Sequence, residues 1–434
     1  MAVVNPRNDL KRNILANYLG AGTVALAPIL ALPWYLAALG PRQFGLIGFI
    51  VMLQAILGLL DAGMSQALVR EVAVRLDATA AGQQRTASLL FGFERLYWLF
   101  GFGAGGLTLL SADFVAAHWL NLGGLPAVAG QQAVYGAAFI FAAQFPGSLY
   151  RSVLVGAQAQ VSLNASMLVG ALVRHAGGVL VVLIWPTLPT YLIWHASIGL
   201  LETLVRGWLA WRTLNVKRHT VKWERQEIRS VWRLLAGLSG AAWLGALTVQ
   251  MDKIVLSRMT SIEQFGYYSI AAMIAVGVLQ LIYPLVQAVL PRAIQLREES
   301  GKLRSLSLKL TGLIALMVVI GGVIFATAGK WLLNLWLRSP QAVEVIYPLL
   351  SVLLIGTSLN AFYNVGYVHW LVNGKIRRVL QVNASALVLS VAIIPPLVGS
   401  QGPMGAAFGW LVINLIGFVL SLEWLKKKQG EGNF

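Results

Sequence analysis

The sequence has no cysteine and little charge, and both absences narrow what the protein can be. Asp, Glu, Lys and Arg make up 11% of its 434 residues, whereas water-soluble domains average about 25%. Without cysteine there is no disulfide and no thiolate metal site, and no His or carboxylate cluster has metal-ligand spacing. A phosphate-binding loop of the form G-x-x-x-x-G-K-[ST] is also missing, so nothing predicts ATP binding. These absences exclude a water-soluble fold and argue against a metal or nucleotide cofactor.

Hydrophobic residues dominate instead, at 58% of the chain with a mean hydropathy of +0.72. A helix needs about 20 apolar residues to cross about 30 Å of hydrocarbon, and the chain holds many runs of that length. Divided at charges, Gly and Pro, the runs predict an all-α polytopic membrane protein with twelve transmembrane helices, at residues 14–38, 43–66, 86–110, 131–150, 162–185, 190–212, 231–256, 264–289, 308–329, 343–365, 377–398 and 403–425.

The basic residues predict the orientation of these spans. The net charge of +17 would suggest nucleic acid as a partner of a soluble protein, but most Lys and Arg residues fall in alternate connections. Such residues gather in cytoplasmic loops, so both termini are predicted to be cytoplasmic. The predicted partners of the basic residues are membrane lipids and not nucleic acid. A basic cytoplasmic linker, 213–230, separates a predicted N-terminal bundle, 1–212, from a C-terminal bundle, 231–434.

Short sequence matches relate the two bundles. QFG at 43–45 follows the first span and recurs at 264–266 after the seventh, and NAS at 164–166 recurs at 383–385 in the eleventh. Their common order predicts two parallel six-helix halves around a central cavity. That is a transporter architecture, in which the halves rock to open the cavity to alternate sides of the membrane.

Two stretches resemble a known family. Residues 32–71, LPWYLAALGPRQFGLIGFIVMLQAILGLLDAGMSQALVRE, contain Leu-Gly-Pro, an aromatic–Gly pair, Leu-Asp-x-Gly and a following Arg. Residues 251–269, MDKIVLSRMTSIEQFGYYS, contain an Asp–Lys pair and a Gly-Tyr-Tyr turn. Both are similar to bacterial polysaccharide flippases, the Wzx-type O-antigen translocases of the multidrug/oligosaccharidyl-lipid/polysaccharide (MOP) exporter superfamily. The resemblance implies a MATE-like fold.

The resemblance also implies a function. A flippase of this family would move an undecaprenyl-diphosphate-linked oligosaccharide, such as an O-antigen repeat unit, from the cytoplasmic to the periplasmic leaflet of the bacterial inner membrane. The alternative is an ion-coupled multidrug exporter of the same superfamily, which would be expected to hold acids rather than arginines in its cavity. A membrane glycosyltransferase or polymerase would need carboxylates on a sizeable loop, and the predicted outside loops are short and poor in acids, so no enzyme activity is predicted.

The candidate substrate-binding residues are cations within the first six spans. Arg174 lies 12 residues into span five, near the bilayer centre, with His175 beside it. Arginine suits a diphosphate because its planar fork binds two oxygens and stays charged when buried. The alternative for Arg174 is a structural ion pair with a carboxylate such as Glu202. Glu202 and Arg206 are four residues apart in span six and share a helix face, where a helix-orienting pair and a ligand contact both remain open.

Five further charged positions complete the candidates. Glu94 and Arg95 in span three are adjacent and point about 100° apart, so one can face a cavity while the other faces the headgroups. Asp61 near the end of span two is predicted to form a salt bridge or helix-end contact with Arg70 or a neighbouring loop, with ion coupling as the alternative. Asp252 and Lys253 in span seven either face the outward half of the cavity or form a structural pair.

Energy and partners are less determined. Without an ATP site, transport would use an H⁺ or Na⁺ gradient, the membrane potential or consumption of the product, and Glu94, Glu202, His175, Asp61 and Asp252 are the titratable candidates. Glycosyltransferases or a polysaccharide polymerase could dock on the basic linker, although anionic lipid headgroups account for its charge equally well.

Overall fold

The protein is helical throughout the part of the chain that the structure, a computed structural model, describes: residues 6–61, 63–76, 79–222 and 243–425. A helix satisfies every backbone hydrogen bond within one segment, which an apolar run in lipid requires. The chain divides into two compact units, Met1–Trp243 and Leu244–Phe434. The predicted boundaries of the bundles and linker stay a prediction, because much of the linker lies outside the described residues.

The first unit begins with a helix, α1 (Pro6–Leu57), that covers the predicted span one and most of span two. Gly40 interrupts it with a φ of 75°, a conformation that glycine adopts without a steric penalty. A 3₁₀ turn, Gly58–Asp61, follows α1. Gly63, with a φ of 88°, then precedes α2 (Met64–Arg75).

Besides a short helical segment at 112–119 and a 3₁₀ turn at Arg218–Thr220, the described part of the first unit contains five more helices. They are α3 (Ala80–Leu110), α4 (Ala127–Gly156), α5 (Gln160–Leu172), α6 (Gly178–Ile184) and α7 (Leu188–Leu214). A π-helical turn, Val173–Gly177, joins α5 to α6. Side-chain caps mark two beginnings, where the Thr79 and Thr187 hydroxyls accept hydrogen bonds from the Gly82 and Thr190 amides.

Helix α4 is at the centre of the first unit, where it packs against α2, α3 and α7. Its buried face is rich in small residues, so neighbouring backbones come close. At Gly105 of α3, a Cβ would lie 3.2 Å from the carbonyl oxygen of Ala138 on α4. A core of Leu, Phe and Tyr side chains fills the space around α2, α3 and α4.

The second unit contains helix α8 (residues 243–259) and five longer elements. These are α9 (Ile262–Gln295), α10 (Ser300–Leu337), α11 (Pro340–Val372), α12 (Ile376–Gln401) and α13 (Pro403–Ser421). Helix α11 packs against α9, α10 and α13, with a core that includes Leu279, Ile314, Ala361 and Val365.

The predicted spans fall on helices wherever the structure describes them, and the all-α fold class is confirmed. Seven helical segments among the described residues are long and apolar enough to cross a membrane, or eight if the bent pair 81–110 and 112–119 forms one span. The count of twelve is consistent with this helix order and stays a prediction. Span seven, 231–256, lies partly outside the described residues.

Candidate functional site

Three charged side chains, those of Arg174, Glu202 and Arg206, form a cluster among the described residues of the first unit. Arg174 Nη2 and Arg206 Nη2 contact the same oxygen of Glu202, Oε2, at 2.7 and 2.8 Å. Glu202 is 9% exposed. Two guanidinium groups and one carboxylate leave the cluster with a net single positive charge. The alternative of an Arg174–Glu202 ion pair is therefore present in the structure, but the pair is not neutral once Arg206 is included.

The helices position these three side chains by local geometry. Glu202 and Arg206 lie one turn apart on α7, whereas Arg174 projects from the π-helical turn after α5. A π-helical turn is rare and is found mostly at functional sites. Gln144 of α4 accepts a 3.3 Å hydrogen bond from Arg174 Nη1, and the indole of Trp194 donates to the Arg174 carbonyl at 3.0 Å.

Glycines make room for the charged groups. A Cβ on Gly170 would lie 2.6 Å from the Glu202 carboxyl carbon, and one on Gly199 would lie 2.7 Å from the Gln144 side chain. A Cβ on Gly147 would lie 2.9 Å from Thr203 Oγ1, beside Arg206. Real Cβ atoms essentially never make such contacts, so a larger residue at any of the three positions would displace the side chain that faces it, Glu202, Gln144 or Thr203.

The cluster keeps unused hydrogen-bonding capacity. Within the described part of the chain, Nε of Arg174, Nε of Arg206 and Oε1 of Glu202 are buried and have no hydrogen-bond partner. Buried polar atoms are nearly always paired, so three unpaired ones at one charge cluster indicate a place where a ligand or water completes the bonding. The two donors and the net charge favour an anion.

His175 does not join the ion pairs; it lies in an aromatic cluster on the other side of the π-helical turn. Its ring contacts that of His195 edge-on with centroids 5.5 Å apart, and His195 stacks on Tyr191 at 4.0 Å. Tyr35 of α1 donates to the His175 carbonyl at 3.2 Å and lies 3.4 Å from His195 Nε2. Through Tyr35, helix α1 therefore contacts His195 of α7 and the backbone of His175, the residue after Arg174.

Glu94 and Arg95 separate as their adjacent positions on α3 predict. Glu94 is 5% exposed and accepts from Tyr150 Oη at 2.6 Å and from Arg218 Nη2 at 2.8 Å. Arg95 is exposed and lies 4.4 Å from the centroid of the Phe91 ring. The structure thus connects Glu94 to the beginning of the linker and does not bring Arg95 to Arg174.

Asp61 has different partners from the alternative predicted for it. Tyr97 Oη donates to one carboxylate oxygen and Ser65 Oγ to the other, both at 2.6 Å. No cation of the described residues pairs with it, and Arg70 is exposed. The predicted pairing with Arg70 is wrong in this structure, because the Asp61 side chain is directed toward Tyr97 of α3, while Arg70 is exposed and lies nearly two turns into α2.

Asp252 and Lys253 pair with each other in the second unit. Lys253 Nζ lies 3.1 and 3.3 Å from the two oxygens of Asp252, which is 3% exposed. Tyr268 of α9 donates to Asp252 Oδ2 at 2.6 Å. Of the two predicted alternatives, the structure contains the ion pair between Asp252 and Lys253. Whether either residue faces a cavity stays a prediction.

Sequence reasoning missed the neutral partners of these charges. Each charged group contacts a neutral side chain from another helix. Arg174 contacts Gln144, and Asp61, Glu94 and Asp252 accept hydrogen bonds from Tyr97, Tyr150 and Tyr268. The signal in the sequence was weak but present: a tyrosine within an apolar run needs a hydrogen-bond partner for its hydroxyl when buried. Which charge provides that partner depends on how the helices pack.

Known transporter structures share the fold of this protein, and a family model matches its sequence. The fold is that of MOP-superfamily transporters. A multidrug-resistance MATE transporter in an inward-facing conformation aligns with a TM-score of 0.72 at 15% identity, over 92% of this chain and 93% of that one. The lipid II flippase MurJ in an inward closed conformation also aligns with a TM-score of 0.72, at 11% identity, over 94% and 87% of the two chains.

Residues 10–297 match the model of the polysaccharide biosynthesis protein family. The match covers more than half of the chain, which therefore belongs to this family. A curated relative, described as a putative O-antigen transporter of Shigella flexneri, is 22% identical over 95% of this chain and 97% of its own length. The resemblance seen in the motifs is confirmed, and the protein is an integral membrane transporter whose relatives are not enzymes.

Proposed function

We propose that the protein is a flippase that moves an undecaprenyl-diphosphate-linked oligosaccharide, a surface-polysaccharide repeat unit, from the cytoplasmic to the periplasmic leaflet by alternating access. Membership of the polysaccharide biosynthesis family supports this proposal, as do the O-antigen transporter relative and the likeness to a lipid II flippase. We place the protein in a bacterial inner membrane with both termini cytoplasmic, on the distribution of its basic residues.

The observation that carries the proposal is the positive charge of the Arg174–Glu202–Arg206 cluster. A lipid diphosphate carries negative charge through hydrocarbon and needs fixed cations on its path. Arginine presents two parallel N–H donors to phosphate oxygens. In this cluster both arginines bind one carboxylate oxygen, so an arriving diphosphate would exchange for Glu202 on one or both of them.

The charge also argues against the alternative function. The multidrug exporters share the fold, and an exporter of organic cations benefits from an acidic site. A site of net positive charge repels a cation by about 4 kcal/mol at 4 Å when the effective dielectric constant is 20. Among the polar groups of the second unit, the Asn360 amide donates to Asn414 Oδ1 at 2.7 Å, and we propose that neutral groups of that kind bind the glycan.

The proposal leaves energy coupling to an H⁺ or Na⁺ gradient or to the membrane potential. It also leaves room for glycosyltransferases or a polysaccharide polymerase as partners on the basic linker. Neither assignment affects the experiment that tests transport.

The test follows the lipid-linked glycan pool in the host after depletion of the protein. Intact cells and opened vesicles are probed with a glycan-binding reagent, and wild type, Arg174→Ala or Arg304→Ala is added back. Arg304 is an exposed arginine of α10 and controls for loss of positive charge. We expect lipid-linked units to accumulate facing the cytoplasm, and wild type and Arg304→Ala to clear them.

Arg174→Ala should clear less than about a tenth as fast, which corresponds to losing about 1.4 kcal/mol of binding. Membrane levels of the three proteins are compared by immunoblot. A pool whose size and sidedness do not change on depletion would overturn the flippase assignment. Full clearance by Arg174→Ala would leave the flippase assignment standing but would show that the Arg174 cluster is not the substrate site.

A further inference from the structure

One face of helix α11 in the second unit carries amide and aromatic side chains. Asn360, Tyr363, Tyr367 and Trp370 follow one another at intervals of three and four residues, so they lie on the same side of the helix. Tyr363 and Tyr367 are partly exposed, whereas Trp370 is 2% exposed. A face that met only lipid would carry aliphatic side chains instead, because polar groups in hydrocarbon are costly.

The rings of this face lie close together and are open on one side. The centroid of the Tyr363 ring lies 6.0 Å from those of Tyr367 and Trp370. Tyr283 of α9, 36% exposed, lies near enough to Tyr363 for their hydroxyl groups to interact. Helix α13 approaches the Tyr363 ring at Gly417, where a Cβ would lie 3.6 Å from the ring, so no side chain of that residue covers it. We call Tyr283, Tyr363 and Tyr367 the tyrosine face.

The hydroxyl groups of the tyrosine face have no hydrogen-bond partner among the described residues. They differ in this from Tyr97 and Tyr268, which each donate to a carboxylate at 2.6 Å. A phenolic hydroxyl donates one hydrogen bond and accepts others. Three such groups therefore present donors and acceptors to a molecule that lies against the rings.

Amide groups at the edge of the tyrosine face are held in fixed positions. Asn360 Nδ2 donates to Asn414 Oδ1 of α13 at 2.7 Å, and Asn364 Nδ2 donates to the Asn360 carbonyl at 2.7 Å. Asn414 Nδ2 in turn donates to the Trp410 carbonyl at 2.8 Å. Because an amide carries two N–H donors, Asn360 keeps one donor beyond its bond to Asn414.

The surroundings of the tyrosine face are neutral, in contrast to the Arg174 cluster. The stretches of α9, α11 and α13 around it contain no Asp, Glu, Lys or Arg: residues 264–291, 345–374 and 403–422. Glu423 accepts from the Trp370 indole at 3.2 Å and is paired with Lys375 at 2.7 Å. A diphosphate needs cationic partners, so this face suits an uncharged polar ligand.

A sugar has the chemistry that such a face recognises. One side of a pyranose ring presents C–H groups that pack on an aromatic ring, and the hydroxyls at its edge exchange hydrogen bonds with amide and phenol groups. Sites for small ligands combine aromatic side chains with a few placed polar groups in this way. Tyr363 lies nine residues before the end of α11 at Val372, about 14 Å along the helix, and that end is predicted to be cytoplasmic.

We infer that the tyrosine face is a sugar-binding site, which holds the glycan of the lipid-linked substrate near the cytoplasmic side of the second unit. Tyr363 and its neighbouring rings stack on the sugars, and the free hydroxyls and Asn360 bind their hydroxyl groups. The inference rests on the proposed function, and it gives the two chemical parts of the substrate separate sites: the diphosphate binds the Arg174 cluster and the glycan binds the tyrosine face.

The test is saturation-transfer difference NMR of the full-length protein in lipid nanodiscs. The probe is the repeat-unit glycan of the host, released from its lipid diphosphate by mild acid, so that only sugar contacts are measured. We expect wild type to bind it. Tyr363→Ala should weaken binding by about tenfold, the effect of losing an aromatic anchor. Tyr363→Phe keeps the ring and should weaken binding by about threefold at most, the effect of one neutral hydrogen bond.

Two further variants control for position and folding. Tyr347→Ala removes another tyrosine of α11, one that stacks on Phe325 with centroids 5.0 Å apart, and should bind the glycan as wild type does. Tyr283→Ala truncates an exposed side chain on a different helix, so it gives a second reading if Tyr363→Ala folds poorly. We expect it to weaken glycan binding by about fivefold.

Calorimetric titration with farnesyl diphosphate separates this inference from the proposed function, because Tyr363→Ala should bind that ligand as tightly as wild type. If wild type binds farnesyl diphosphate but not the glycan, the sugar site is overturned and the flippase assignment stands. The same holds if Tyr363→Ala and Tyr283→Ala bind the glycan as tightly as wild type. A wild-type protein that binds neither ligand would overturn both.

Discussion

Three carboxylates of this protein lie within predicted membrane spans and differ in the number of cations that pair with them. Asp61 has none among the described residues, Asp252 has Lys253, and Glu202 has Arg174 and Arg206. Asp61 and Asp252 share one kind of partner: each accepts a 2.6 Å hydrogen bond from a fully buried tyrosine, Tyr97 or Tyr268. Asp61 also accepts from the Ser65 hydroxyl, whereas Asp252 pairs with Lys253, so the two differ in charge balance.

That balance indicates what each place can bind. A carboxylate without a cation depends on hydrogen-bond donors of the chain, as Asp61 does on Ser65 and Tyr97. A carboxylate with one cation is complete and acts as a structural pair. A carboxylate with two arginines leaves positive charge over, which suits an anionic ligand. The following predictions test this comparison.

The largest effect is expected at the balanced pair. Lys253→Met should leave Asp252 buried without a cation and destabilise the second unit by about 3 kcal/mol. The double variant Asp252→Asn/Lys253→Met should recover most of this loss, because no uncompensated charge remains. Thermal unfolding in nanodiscs measures both. A loss below about 1 kcal/mol in the single variant would mean that Asp252 does not depend on Lys253, and the contrast with Asp61 would disappear.

The next effect concerns affinity at the cluster with two arginines. Glu202→Gln should strengthen binding of a short prenyl diphosphate by about tenfold, equivalent to about 1.4 kcal/mol, because the internal anion no longer competes for the guanidinium groups. Calorimetric titration with farnesyl diphosphate measures it, with farnesol as the uncharged control. Weaker binding in this variant would show that Glu202 orients the arginines more than it competes with the ligand.

Arginine geometry can be separated from charge at the same cluster. Arg174→Lys keeps the charge but loses the planar fork, so it should restore only a small part of the diphosphate affinity that Arg174→Ala loses. The same titration compares the two variants. Equal affinity of Arg174→Lys and wild type would mean that the site recognises charge alone.

A smaller effect is expected where the cation is exposed. Arg218 pairs with buried Glu94, but its side chain is 61% exposed, and solvent screens such pairs. Arg218→Ala should therefore destabilise the first unit by about 1 kcal/mol or less, with Tyr150 still bound to Glu94. Thermal unfolding of Arg218→Ala beside Tyr150→Phe tests which partner matters more. A much larger loss in Arg218→Ala would make it a second pair of the Asp252 kind.

The smallest effect is expected at the site without a cation. Asp61→Asn should change the free energy of unfolding by about 0.5 kcal/mol or less, because the nearly isosteric amide breaks no ion pair and keeps a hydrogen-bond acceptor. Asp252→Asn, in contrast, strands Lys253. Equal destabilisation in the two variants, measured by thermal unfolding, would contradict the difference drawn between the carboxylates.

The sequence by itself determined the class of the protein. The length and spacing of the apolar runs predict helices because lipid leaves the backbone no other partner, and the helix order follows the predicted spans wherever it is described. Motifs such as the Leu-Asp-x-Gly of residues 60–63 were enough for the family, because they are read directly from the chain. The pairing of Glu202 with Arg206 was also visible, because four residues make one helical turn.

Only the tertiary structure decided the partners of each charge. Arg174 reaches Glu202 because a π-helical turn and three glycines allow α4, α5 and α7 to approach, and none of these features has a period that the sequence reveals. Asp61 lost its predicted partner Arg70 because a left-handed glycine turns the chain. The physical reason is the same in each case: a charge in an apolar bundle is satisfied by whichever side chain the packing brings within about 3 Å, and that neighbour usually comes from a distant part of the chain.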